Sequence, residues 1–242
     1  MILANVRASL GRDDAQLATR LLARESGEDV EAVEGRLRDE GFDAVLDDPR
    51  LLAAIARSPL GARTSYPLFC YVVVRHALRS VGENDRVLSD YVASIMLHFG
   101  LRDAFTRVSS ADDEQYDTLA ALVEDVDGPD ARRNFLVRAH LGNYALWMSG
   151  LFPDYIEHRR WRRGSPGIDY YEELGRRGFQ LAADHRLAKE HGLEGVYHVA
   201  ADKFGALRVA LNRVSDSMLF PVNHSPDRLM RQVRDESRWK IN

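Results

Sequence analysis

Three groups of residues in this chain have the types and spacing that support chemistry. The first is His140, Asn143, Tyr144 and Trp147. Steps of three and four residues put side chains on one face of a helix. An imidazole, an amide and two aromatic rings would then share one strip. Such a strip could line a ligand pocket, with the imidazole for acid–base work or metal binding, the amide for orientation and the rings against a flat ligand. A core helix gives the same pattern, because buried His and Asn must find partners wherever they lie. The second group is His198 with Asp202, one turn apart, preceded by Asp184 and His185. Imidazole and carboxylate together suit a divalent metal, or an acid–base pair in which the Asp fixes the tautomer. The candidate metal ligands are His185, His198 and Asp202. Surface pairs one turn apart are ordinary helix decoration and give the plainer account.

The third group is the basic knot that follows His158: Arg159, Arg160, Trp161, Arg162 and Arg163, closed by Gly164-Ser165-Pro166-Gly167. Four guanidinium groups around an indole could hold phosphate while the ring stacks on a base. The competing account is a salt network within the chain or between subunits. Its carboxylates would come from Glu157, Asp169, Glu172 and Glu173, or from the acidic stretch 103–130 with Asp112, Asp113, Glu114 and Asp117. The net charge of −4 leaves no overall basic footprint, which ranks the protein contact above nucleic acid. Gly175, Gly178 and Ala182 form a further stripe. Glycine inside a helix costs about 1 kcal/mol against alanine. Two on one face imply close approach by another helix, or by a flat ligand such as a porphyrin with His76 or His140 as axial ligand. Close helix packing is the simpler reading.

The established catalytic signatures are absent from the sequence: no phosphate-binding P-loop, no dinucleotide glycine motif, no H-E-x-x-H, no G-x-S-x-G and no cysteine pair. No cofactor is identified by motif.

The elements that must position these residues are helical nearly throughout. Short helices are expected over 13–26, 29–40 and 48–58, charge-rich with thin apolar stripes. The segment 64–80 is apolar on all sides and belongs in the middle of a domain; its Val72-Val73-Val74 run could instead be a buried strand, but no turn signal interrupts the pattern. Thr64 and Asn84 are the expected caps of this helix and the next. Further helices are expected at 130–150 and 153–163, from Asp169 to about Glu190, and over 194–219. A basic amphipathic tail helix beginning at Ser225-Pro226 carries Leu229, Met230 and Val233.

These readings combine into an all-α protein: an N-terminal helical arm (1–60), a multi-helix bundle core (61–220) and a C-terminal tail helix (221–242). The longest apolar run, Leu68 to Val74, falls far short of the roughly 20 residues that span a bilayer. Met1 to Val6 meets Arg7 too early for a signal peptide, so the expected location is the cytoplasm and no membrane partner is expected. The leading functional expectation is a non-enzymatic interaction protein that associates with itself or with protein partners. The alternatives are a cofactor- or metal-binding enzyme with a pocket near His140, and a nucleic-acid backbone binder through Arg159–Arg163.

Overall fold

A computed structural model describes residues 1–100, 105–108, 115–116 and 118–239. Among these residues every regular element is helical. There are fifteen α-helices, a 3-10 turn at Pro59–Arg63 and a π turn at Ser215–Leu219. The protein is all-α, as its apolar periodicity requires. The chain divides into two compact units, Ile2–Leu101 and Arg102–Asn242, the latter grouped with Met1. No helix among the described residues is long and apolar enough to cross a membrane.

The first unit holds α1 (Val6–Ser9), α2 (Arg12–Ser26), α3 (Val30–Glu40), α4 (Phe42–Leu46), α5 (Pro49–Arg57), α6 (Tyr66–Arg79) and α7 (Arg86–Phe99). The valine run lies inside α6, so the strand alternative falls. Leu68, Cys70, Tyr71, Val72, Val73 and Val74 are all buried there. α6 packs along α7 and also meets α1 and α5. The boundary between the two units falls after α7. α2 packs on α3, α4 and α5, burying Leu21, Leu22, Val33, Leu46 and Leu51, and these helices meet α6 through α5.

Two caps differ from expectation by one residue. Ser65, not Thr64, caps α6, its hydroxyl accepting from the Leu68 N–H at 3.2 Å and donating to Asp14 at 2.6 Å. Asp85, not Asn84, caps α7, its carboxylate accepting from the Val87 and Leu88 N–H groups. The Asn84 carbonyl is taken by the Arg75 guanidinium at 2.8 Å.

The second unit contains α8 (Leu119–Glu124), α9 (Ala131–Leu151), α10 (Pro153–Arg163), α11 (Ile168–Ala183), α12 (Arg186–Glu190), α13 (Glu194–Asp202), α14 (Phe204–Val214) and α15 (Pro226–Trp239). α9 is its central member and packs on α11 and α14. Asp130 caps it by accepting from the Arg132 and Arg133 N–H groups. At its other end Asn212 donates to the Ser149 and Gly150 carbonyls, both at 2.7 Å, and Ser215 donates to the Leu151 carbonyl at 2.8 Å. These bonds satisfy carbonyls that the helix itself leaves unpaired.

The glycine stripe is explained here by packing. A Cβ on Gly178 would lie 2.7 Å from the Gly142 nitrogen and 3.0 Å from the Arg138 carbonyl oxygen, while one on Gly175 would strike the Phe204 ring at 2.3 Å. The neighbours are another backbone and a core aromatic ring, so the stripe exists for helix contact.

Two expected long helices are broken. The segment from Asp169 to Glu190 comes as α11 and α12, with Asp184-His185 between them, and Asp169 lies inside the first turn of α11 after Gly167 at the cap position. The segment 194–219 comes as α13, α14 and the π turn, with Lys203 at the first break. The apolar stripe runs across each break, so periodicity alone does not register an interruption of one or two residues.

Candidate functional site

The sequence-derived groups occupy three different settings, all in the second unit. His140, Asn143, Tyr144 and Trp147 lie on α9 and are buried. The His140 ring is 6.2 Å from Tyr144 in a stacked arrangement, and its Nε2 is 2.9 Å from the Phe105 carbonyl oxygen. Tyr144 also stacks on Phe105, and Trp147 meets Phe152 edge-on at 5.4 Å. All four are buried on one helix, where His140 stacks on Tyr144 and Trp147 packs against Phe152.

The second group is dispersed in role. His185 caps α12: its Nδ1 accepts from the Leu187 N–H at 3.2 Å, and its ring lies 5.3 Å from that of Phe135. Burial, followed by the charges of Arg138 and Arg186, pushes its pKa below the usual imidazole range. That favours the neutral ring, the form able to accept a backbone hydrogen bond. His198 and Asp202 stand exposed on α13, and Asp184 is exposed as well. Among the described residues no group of three or more His, Cys, Asp or Glu side chains is placed to hold a metal ion.

The arginine knot occupies the last two turns of α10, where its parts diverge. Arg159, Arg162 and Arg163 line a surface cleft of about 160 Å³ with Tyr155 and His158. Arg159 lies over the Tyr155 ring, 5.6 Å from its centre. Arg160 turns away and pairs with Glu157 at 3.6 Å. Trp161 is 71% exposed and does not line the cleft; the aromatic ring beside the cationic groups there is that of Tyr155. Among the described residues, Glu157 is the proposed carboxylate that the knot engages. Glu172 binds Arg208 instead. Asp112, Asp113, Glu114 and Asp117 lie outside the described residues.

A fourth arrangement is the one that spacing alone left unread. The tail helix α15 is amphipathic, but it docks by its charged face. Arg228, Arg231 and Asp235 are buried, while Leu229, Met230 and Val233 are 55%, 70% and 65% exposed. The residues that hold it come from three other segments. Asp154, at the start of α10, accepts from Arg228 Nε at 2.9 Å, from Arg231 at 3.3 Å and from the Asn223 amide at 2.6 Å. Asp216, in the π turn, accepts from Arg231 at 2.8 Å and from Gln232 at 2.9 Å. Arg208 of α14 is fully enclosed. It binds both oxygens of Asp235, at 2.8 and 3.0 Å, together with Asn212 and Glu172. Burial alone would raise the Asp154 pKa, but the Arg228 hydrogen bond and the charges of Arg231 and Arg228 prevail and lower it, so the anion is retained.

No family model, curated protein or solved structure matches the chain. Its surfaces must therefore be read from their own chemistry. The signal for the α15 network was present in the sequence as Arg228, Arg231 and Asp235, three polar residues sharing one helix face. Their partners, Asp154, Asp216 and Arg208, lie 15 to 77 residues away along the chain and carry no local signature.

Proposed function

We propose that this chain is a non-enzymatic association protein whose working surface is the outward face of α15. One observation carries the reading: the helix buries Arg228 and Arg231 and turns Leu229, Met230 and Val233 to solvent. Scattered exposed apolar side chains are normal on any protein. A helix that encloses ion-paired charges to hold its apolar side outward is different. Desolvating charged groups is costly unless geometry and hydrogen bonding are good, and contiguous exposed apolar surface marks places where another molecule binds. Phe220 and Val222, in the segment that leads into the helix, are exposed as well.

The other two settings support their alternatives less well. The rings around His140 are occupied with one another. The cationic heads of the knot sit at the carboxyl end of α10, where the helix dipole already favours them without any ligand.

A photo-cross-linking residue placed at position 230 in cells tests the reading. Cross-links from that position to a polypeptide are expected. Recovery of the un-cross-linked chain alone, with cross-linking competence verified on a control protein, would remove the proposal.

A further inference from the structure

The flanks of the apolar stripe identify what covers it. We infer that the occupant of the outer face of α15 is the same face of a second copy, the two helices running antiparallel. The inference rests on the association reading above and deepens it. Asp227 and Arg234 are seven residues apart, two helical turns, so they lie on one flank of the stripe about 10.5 Å from each other along the axis. Neither has an ion-pair partner among the described residues, and the Arg234 Nε is buried without a hydrogen bond. Their midpoint falls between Met230 and Arg231, within about one residue of the middle of the stripe formed by Pro226, Leu229, Met230 and Val233.

A two-fold axis that pairs antiparallel helices brings like flanks together with their residue order reversed. Asp227 of one copy then faces Arg234 of the second, and the symmetry repeats the pair, as expected of a self-complementary two-fold interface. Parallel helices related by a two-fold axis bring opposite flanks together, so that Arg234 would lie near Glu236 and Asp227 would be left without a cation. The apolar stripe provides the contact, and the two flanking charges select direction and register.

Sedimentation of the full chain from low micromolar to several hundred micromolar tests this. A reversible dimer is expected. Leu229→Glu combined with Val233→Glu should give a monomer with unchanged helical circular dichroism. Asp227→Arg should raise the dimer dissociation constant roughly tenfold by setting like charges opposite each other twice, and Arg234→Asp should do the same. The double exchange Asp227→Arg/Arg234→Asp should return the constant to within about threefold of the original. A wild-type chain that stays monomeric overturns the inference. So does a dimer indifferent to Leu229→Glu/Val233→Glu, single reversals without effect, or a double exchange that restores nothing. Cross-links from position 230 to other polypeptides, seen alongside a monomeric chain, would leave the association reading standing and remove only the second copy.

Discussion

Asp47 is held by cations from two helices of the first unit. Arg75 contacts both its oxygens, at 2.7 and 3.2 Å, and Arg86 reaches one of them at 2.7 Å. Burial by itself would raise the pKa of this carboxyl. The hydrogen bonds and charges of Arg75 and Arg86 outweigh burial and bring it down to about 2, from 3.8. A carboxyl whose folded pKa is depressed contributes stability above its unfolded pKa and loses it as pH falls through the folded value. The contribution of Asp47 is therefore complete above about pH 4 and disappears between about pH 4 and pH 2, and the shift corresponds to roughly 2 kcal/mol. Asp47→Asn should lower unfolding stability at neutral pH by about that amount and flatten the decline between pH 4 and pH 2. Urea unfolding at several pH values measures both; equal slopes for wild type and variant would mean the pair is energetically silent.

At the scale of the element, the contact between α9 and α11 depends on Gly178 lying against the backbone of α9 and on Gly142 lying against the Phe179 ring. The atoms nearest a new Cβ on Gly178 are the Gly142 nitrogen and the Arg138 carbonyl oxygen, main-chain atoms that cannot swing aside. Gly178→Ala should force the helices apart and destabilise by roughly 1–3 kcal/mol, although alanine is the better helix former. Gly35→Ala, in α3 with nothing within 4 Å of the new carbon, provides the contrast. It should be neutral or stabilising by up to about 1 kcal/mol. Thermal unfolding of both variants checks the pair, and a stabilised Gly178→Ala would mean the two helices are not in backbone contact. For α15 the deciding matter is orientation: the helix itself follows from its own pattern, whereas which face it buries follows from Asp154, Asp216 and Arg208.

For the whole molecule, pairing through α15 has a thermodynamic consequence beyond sedimentation. A partner that binds the folded chain and not the unfolded one raises apparent stability by mass action. The Tm of the wild-type chain should climb with protein concentration, while that of Leu229→Glu/Val233→Glu should stay level. Calorimetry across a wide concentration range reads this directly, and a wild-type Tm independent of concentration would count against the pairing.

The helical class, most of the elements and the apolar character of α6 were legible in the sequence, because periodicity and caps are local properties. Pro153–Arg163 was read to the residue, since Pro and Gly mark its two ends. The one-residue shifts at Ser65 and Asp85 were not legible, because neighbouring Ser/Thr and Asn/Asp residues compete for a cap and the choice is made by remote groups such as Asp14 and Arg75. Nor were the breaks at Asp184-His185 and Lys203, across which the stripe continues. The face around His140 was visible as a constellation; the stacking of His140 on Tyr144 and of Trp147 against Phe152 was not. The orientation of α15 was hidden for a physical reason. An amphipathic pattern states that a helix has two unlike faces, and the usual inference is that the apolar one is buried. Here long-range ion pairs decide otherwise, and only the tertiary structure brings Asp154, Asp216 and Arg208 together to meet Arg228, Arg231 and Asp235.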